Sequence, residues 1–262
     1  MSLSDVFSTA RAESRAALIG YLPAGFPTIA GSKDYLRSMV ESGCDLVEVG
    51  MPFSDPVMDG PTIQAAAEQA LSAGFRVRDL FDVVSAVSDA GGRAVVMTYW
   101  NPVLRYGVDA FARDLAAAGG LGIITPDLVP DEAEDWMAAS AAHGLDRTFL
   151  VAPSSTEERI ALTARASSGF LYATAVMGVT GARDVVSSAA PELVARVREH
   201  TSLPIGVGLG VRSGAQAAEI AGFADGVIVG SAFVSAVNEG DAAVRALAAD
   251  LAKGVRSAPA TV

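Results

Sequence analysis

The chain has 262 residues, of which 51% are hydrophobic and 19% are charged, a composition typical of globular domains and unlike that of disordered or collagen-like chains. Thirty acidic residues against 19 basic ones give a formal net charge of -11, which argues against nucleic acid and anionic membranes as partners. An anionic small molecule would have to be bound by backbone N–H groups, because the sequence contains no lysine or arginine cluster.

The sequence favours a cytoplasmic protein. Its one cysteine, Cys44, cannot form an intramolecular disulfide, which fits a reducing compartment. The first 15 residues lack the apolar core of a signal peptide, and no run of 18 apolar residues occurs that could span a membrane.

Eight short apolar runs rich in Val, Ile and Leu are typical of strands buried on both faces of a parallel sheet. In chain order the predicted strands are 17–22, 45–50, 93–99, 121–125, 148–152, 170–174, 204–208 and 226–230. Between them lie segments with helical periodicity, such as 33–42, 62–73, 78–89, 109–118 and 191–200.

Eight strand–helix units of roughly 33 residues each match the size of a βα repeat and leave no room for a second domain. The sequence therefore predicts an α/β fold, a single-domain (β/α)8 TIM barrel over residues 1–262, with a loose C-terminal tail at 257–262. In such barrels the functional residues lie at the carboxyl ends of the strands and in the loops that follow them.

Two acidic residues stand out around the second predicted strand. Glu48 interrupts an apolar strand, which is costly unless the side chain points into a polar site; if Val47 and Val49 face the helices, Glu48 faces the barrel interior. Asp59 could be a turn or cap residue, but it lies in a long loop stiffened by proline, of the kind that closes over a ligand. Both are candidate catalytic groups.

Glycines gather near the ends of the last three predicted strands, in the segments 178–181, 206–210 and 230–231. Glycine before a helix lets backbone N–H groups approach an anion, and the corresponding edge of a barrel is the usual phosphate position. The aromatic residues Tyr21, Tyr99, Trp100 and Tyr172 also fall near strand ends. Together these features predict a substrate with a phosphate and a flat apolar portion.

The motifs resemble those of the tryptophan synthase alpha subunit family. The loop from Glu48 to Gln64, EVGMPFSDPVMDGPTIQ, is similar to the family signature almost letter for letter. The resemblance continues through LPAGFP at 22–27, MTYWNP at 97–102, PDLVP at 126–130, GVTGA at 178–182 and GVIVGS at 226–231.

The resemblance implies a lyase that cleaves indole-3-glycerol phosphate to indole and glyceraldehyde 3-phosphate. It implies that Glu48 protonates C3 of the indole and takes the proton from the glycerol hydroxyl. Asp59 would accept a hydrogen bond from the indole N–H and stabilise the charge that develops on the ring.

The resemblance also implies the rest of the site. The phosphate-binding positions would be Gly181, Gly208, Gly210, Gly230 and Ser231. The supporting residues would be Tyr172, Thr180 and Asp127. The indole pocket would be lined by Tyr21, Met97, Tyr99, Trp100, Leu209 and Phe233.

No metal and no cofactor are expected in this chain. The resemblance implies a partner, a beta subunit that carries pyridoxal phosphate and receives indole within an α2β2 heterotetramer. Three alternatives stay open: a free-standing indole-3-glycerol phosphate lyase, another phosphate-binding barrel enzyme, and a non-catalytic phosphate-binding regulator of the beta subunit.

Overall fold

Parallel strands form one sheet whose two ends are joined by a single chain segment. The computed structural model describes residues 2–174, 189–208 and 210–257, and these contain nine strands in the order β5-β4-β3-β2-β1-β9-β8-β7-β6. Only Phe149 separates β5 from β6. Since β5 pairs with β4 and β6 pairs with β7, this segment closes the sheet, and the predicted TIM barrel is confirmed.

The strands are β1 Ala17–Pro23, β2 Leu46–Gly50, β3 Ala94–Met97, β4 Gly122–Ile124, β5 Asp146–Thr148, β6 Leu150–Val151, β7 Leu171–Thr174, β8 Ile205–Gly208 and β9 Gly226–Val229. The helices are α1 Leu3–Ala12, α2 Ile29–Glu41, α3 Pro61–Ser72, α4 Val77–Asp89, α5 Trp100–Tyr106, α6 Val108–Ala117, α7 Glu134–His143, α8 Glu157–Ala166, α9 Ala189–Arg198, α10 Gly214–Ala221, α11 Ser231–Val237 and α12 Asp241–Ser257, with a 3-10 turn at Pro130–Glu132.

All eight predicted strands are present, and the fifth is the one that differs most. It was expected as one strand at 148–152, but it begins two residues earlier and is divided at Phe149. Helix α2 begins four residues before its predicted start, because the Thr28 side chain caps it by accepting a hydrogen bond from the Gly31 N–H. Ser257 is the last residue of α12, and the rest of the predicted tail lies outside the described residues.

Helix α1, which the sequence analysis did not predict, covers the amino-terminal end of the barrel. Its apolar face is buried among inward-pointing side chains, and the Phe7 ring lies 5.2 Å from that of Phe170. A Cβ atom on Gly226, the first residue of β9, would lie 2.9 Å from the Phe7 ring. The amino-terminal end is therefore filled, and a substrate would have to enter at the carboxyl end of the strands.

The two faces of each strand contribute to different parts of the core. Inward side chains such as Ile19, Leu46 and Val95 form one cluster with α1, whereas Val47 and Val49 pack with the helices. Alternation along β2 therefore turns Glu48, two residues after Leu46, toward the barrel interior.

A buried ion pair ties β1 to β2 at the amino-terminal end. The Arg15 guanidinium donates to both carboxylate oxygens of Asp45, at 2.7 and 2.8 Å, and Asp45 also accepts the Leu18 N–H at 2.8 Å. Bidentate geometry of this kind is the strong form of the arginine–carboxylate contact. Within the described part of the chain, no helix is both long and apolar enough to cross a bilayer.

Candidate active site

Glu48 is a buried carboxyl group in the interior of the barrel. Its Cα atom lies in register with those of Tyr21 on β1 and Val95 on β3, and the residue is 1% exposed. Its Oε2 atom has no hydrogen-bond partner among the described residues. Burial first, and the negative charge of Asp59 second, raise the pKa of Glu48 from 4.5 to about 8, because a carboxylate loses its hydration there.

Asp59 lies at the end of the loop after β2, directly before the Gly60 that caps α3. Burial raises the pKa of Asp59 to about 6, and a hydrogen bond from the Tyr99 hydroxyl opposes that increase. On the other side, the Gln64 side chain donates to the Asp59 backbone carbonyl at 2.7 Å. The backbone of Asp59 is thus held by the first turn of α3, and its carboxylate by the Tyr99 hydroxyl after β3.

These two carboxyl groups take different protonation states near neutral pH. With pKa values of about 8 and about 6, Glu48 holds a proton and Asp59 is an anion. Two acids whose environments separate their pKa values can act as a proton donor and as an electrostatic stabiliser within one site. The site therefore offers general acid–base chemistry beside a fixed negative charge.

Two tyrosine rings enclose the carboxyl groups. A Cβ atom on Gly50 would lie 2.3 Å from the Tyr21 hydroxyl, and one on Gly208 would lie 2.4 Å from the Tyr172 hydroxyl. Both rings therefore need a glycine on the neighbouring strand. Burial and the charges of the two carboxylates raise the pKa of both hydroxyls well above 10, so both remain protonated hydrogen-bond donors.

The end of β3 and the segment after it contribute three of the predicted pocket residues. Met97 lies two positions after the inward-facing Val95 and contacts both core clusters. Tyr99 is 5% exposed and its ring lies 5.0 Å from that of Phe53. Trp100 begins α5 and packs, partly buried, against the larger core cluster. Asp127 accepts the Trp100 N–H through both carboxylate oxygens, so its contact is with the backbone of this segment.

The predicted phosphate side is described in part. Gly210 has a φ angle of 68°, a conformation that favours glycine. Gly230 precedes α11, and Ser231 is its first residue. A Cβ atom on Gly230 would lie 3.5 Å from the Tyr21 ring, so this helix start lies beside the aromatic wall. Thr180, Gly181 and Leu209 lie outside the described residues.

One sequence-based assignment needs correction. Phe233 was placed in the indole pocket, but it is fully buried, and its ring would lie 3.0 Å from a Cβ atom on Gly20. Gly20 alternates with the inward-facing Ile19 and so faces the helices, which places Phe233 in the layer between barrel and helices. Gly208 leaves room for the Tyr172 hydroxyl, and its assignment to the phosphate-binding positions stays a prediction.

Sequence reasoning missed two polar contacts to the loop after β2. It treated Tyr99 only as an apolar wall, whereas its hydroxyl bonds to the loop, and it gave Gln64 no role. The signal for Tyr99 was its position at the end of a predicted strand. Among the residues described, no group of three or more His, Cys, Asp or Glu side chains is arranged to hold a metal ion.

Comparison with known proteins gives one family. A family model described as tryptophan synthase alpha chain matches residues 7–259. The tryptophan synthase alpha chain of Nocardia farcinica is 73% identical over 256 residues, covering 98% of this chain and 96% of that protein. That of Mycobacterium tuberculosis H37Ra is 67% identical over 254 residues, covering 97% and 94%.

Solved structures agree with the sequence comparison. A structure of Mycobacterium tuberculosis tryptophan synthase superposes with a TM-score of 0.94 at 66% identity, covering 97% of this chain and 98% of that chain. The alpha subunit from Legionella pneumophila superposes with a TM-score of 0.86 at 31% identity, covering 97% and 98%. Sequence and fold together show that this chain belongs to the tryptophan synthase alpha chain family.

Proposed function

We propose that this chain is a carbon–carbon lyase that cleaves indole-3-glycerol phosphate to indole and glyceraldehyde 3-phosphate. The observation that carries the proposal is the pairing of a buried, protonated Glu48 with an ionised Asp59 at the mouth of the barrel. Membership of the family supports a lyase role in tryptophan synthesis.

The protonation states match the demands of a retro-aldol cleavage. Glu48 gives its proton to C3 of the indole ring, which puts positive charge on the ring nitrogen. The Asp59 carboxylate accepts the N–H of that ring and stabilises the charge. The Glu48 carboxylate then takes the proton of the glycerol hydroxyl as the C3–C1′ bond breaks, and the aldehyde forms.

This sequence of steps returns Glu48 to its starting state. One proton leaves the carboxyl group and one comes back, and no electrons are gained or lost. The steps as written therefore need no external oxidant or reductant. A pKa near 8 suits a group that must both give and take a proton near neutral pH.

Substrate orientation follows from the two sides of the site. Tyr21 and Tyr172 would enclose the flat indole ring, with Met97, Tyr99 and Trp100 at the end of β3. Gly210, Gly230 and Ser231, with Gly181, would bind the phosphate through backbone N–H groups and the serine hydroxyl. Such a site needs no basic side chain, in keeping with the net charge of -11.

We further propose that the chain works with a beta subunit that carries pyridoxal phosphate, in an α2β2 heterotetramer that passes indole between subunits. The similarity to a solved tryptophan synthase supports this assignment. Ordering of the loop that carries Asp59 would then raise the activity of the alpha chain in the complex.

The test is indole release from indole-3-glycerol phosphate by wild type, Glu48→Gln and Glu68→Gln, each with and without a beta subunit. Glu68 is an exposed glutamate on α3 and serves as the matched control. We expect the activity of wild type and of Glu68→Gln to increase with the partner. Of the three proteins, only Glu48→Gln should be inactive under both conditions. High activity without the partner would indicate a free-standing lyase, and no activity in wild type under either condition would refute the proposed reaction.

A further inference from the structure

The Tyr99 hydroxyl makes three contacts with consecutive residues of the loop after β2. It accepts the N–H groups of Val57 at 3.2 Å and Met58 at 3.0 Å, and it bonds to the Asp59 carboxylate. A phenol has one proton to donate. With two N–H groups already directed at its oxygen, that proton is available for Asp59.

The middle of this loop has little packing of its own to hold it in place. Ser54, Asp55 and Val57 are exposed, Val57 at 69%. Because these side chains are not buried, the backbone between the Phe53 ring, which packs on Tyr99, and Asp59 is positioned chiefly by polar contacts. The contacts of Tyr99 are therefore central to where Asp59 lies.

Tyr99 is itself held from the next strand along. The residue after it, Trp100, donates its N–H to both oxygens of Asp127 at 2.9 and 3.1 Å, and Asp127 follows β4 in the chain. The Tyr99 carbonyl accepts the Thr98 hydroxyl at 2.8 Å, and its ring packs on Phe53. A chain of contacts thus runs from the end of β4, through the start of α5, to the loop after β2.

We propose that Tyr99 and Asp127 are positioning residues for Asp59: the Tyr99 hydroxyl fixes the loop backbone and orients the carboxylate, and Asp127 fixes the backbone of Tyr99. The inference rests on the proposed lyase function, in which Asp59 meets the ring N–H. A ring that served only as a wall of the pocket would not need the hydroxyl, so phenylalanine would serve equally well.

The electrostatic surroundings of Asp59 define what loss of the hydroxyl does. The titratable groups that interact with Asp59 among the described residues are Glu48 of β2, Tyr21 of β1, Tyr172 of β7 and Tyr99. Tyr99→Phe removes the hydrogen bond that favours the ionised form of Asp59. The acidic limb of the pH profile of kcat/KM, which reports the ionisation of Asp59, should therefore move to higher pH.

The experiment compares Tyr99→Phe, Asp127→Ala and Asp127→Asn with wild type in the complex with the beta subunit. Tyr106→Phe is the matched control, because the Tyr106 hydroxyl also bonds to a carboxylate, that of Asp114 at 2.6 Å, on the outer helices. Steady-state kinetics across pH is combined with amide hydrogen exchange at Met58, which reports on the loop without requiring turnover.

For Tyr99→Phe we expect kcat to fall on the order of ten- to a hundredfold with little change in KM, in the range expected when a reacting group is misplaced. Its acidic limb should move to higher pH and Met58 exchange should become faster. Asp127→Ala should lower kcat and speed Met58 exchange. Asp127→Asn should keep most of the wild-type kcat, because its amide oxygen still accepts the Trp100 N–H. Tyr106→Phe should behave as wild type.

An acidic limb that stays in place or moves to lower pH in Tyr99→Phe would overturn the proposal, as would unchanged exchange at Met58. A loss confined to KM would also overturn it and make Tyr99 a wall of the pocket. An inactive wild-type enzyme would instead refute the proposed lyase function, and the amide exchange would then decide the role of Tyr99 and Asp127.

Discussion

Burial of Glu48 predicts a pH-dependent cost in folding stability. The folded protein holds the Glu48 proton up to about pH 8, whereas the unfolded chain releases it near the ordinary value of 4.5. Between these values the folded state binds more protons than the unfolded state, so the free energy of unfolding falls as pH increases. The decrease begins near the unfolded pKa and is complete above the folded one.

Glu48→Gln removes the titration while keeping the shape of the side chain. A shift of this size corresponds to about 3 to 5 kcal/mol between the two limits. The free energy of unfolding of Glu48→Gln minus that of wild type should therefore increase by about 3 to 5 kcal/mol from about pH 5 to about pH 9. Other groups that titrate in this range cancel when the two proteins are compared at the same pH.

Urea unfolding followed by circular dichroism measures this difference at each pH. Glu68→Gln, the exposed control, should show a difference from wild type that does not vary with pH. If the difference between Glu48→Gln and wild type were also the same at both pH values, Glu48 would not be protonated in the folded protein. The assignment of a proton donor would then be wrong.

Three further predictions concern the site and its support. The pH profile of kcat/KM should be bell-shaped, with an acidic limb at about pH 6 where Asp59 must be ionised and an alkaline limb at about pH 8 where Glu48 must be protonated; a flat profile across this range would contradict the assigned states. Gly208→Ala should lower kcat without unfolding the protein, because its methyl group would lie 2.4 Å from the Tyr172 hydroxyl and displace the ring. If this variant had the kinetics of wild type, the position of the ring would not matter. Asp45→Ala should lower the free energy of unfolding by about 1 to 3 kcal/mol, because the buried Arg15 guanidinium loses its bidentate partner and keeps only Glu13 and the Ala16 carbonyl. Activity per folded molecule should stay unchanged. No loss in urea unfolding would show that the remaining contacts of Arg15 are sufficient.

The barrel could be predicted from the sequence because its strands are buried on both faces. Continuous apolar runs mark such strands, and Glu48 stands out in the second as a polar residue in an apolar context. Helix α1 was missed although Leu3, Phe7 and Ala10 recur at helical spacing. Its function is to fill one end of the barrel, and that is a tertiary contact with residues far away in the chain.

The division of the fifth strand could not be predicted either. Thr148 pairs with a residue of β4, whereas Leu150 pairs with a residue of β7. A local sequence pattern does not show where a strand changes its partner. The assignment of Phe233 failed for a related reason. An aromatic residue near a glycine-rich strand end suits a pocket, but which side of the barrel it faces depends on how α11 packs.

The acidic pair illustrates what local sequence can and cannot give. The sequence marks Glu48 and Asp59 as unusual, but their different protonation states depend on the burial of one and on the hydroxyl that reaches the other. Tyr99 lies 40 positions after Asp59 in the chain. Neither spacing nor composition indicates that its hydroxyl bonds to that loop.

The most direct test of the proposed lyase function is the turnover of indole-3-glycerol phosphate by Glu48→Gln in complex with a beta subunit. Binding of the substrate should stay close to wild type, because the phosphate and ring contacts are unchanged. Indole release should fall by about 10²- to 10⁴-fold or more, the range for loss of a general acid–base. Indole release at the wild-type rate would contradict the role of Glu48 as the group that gives and takes the proton.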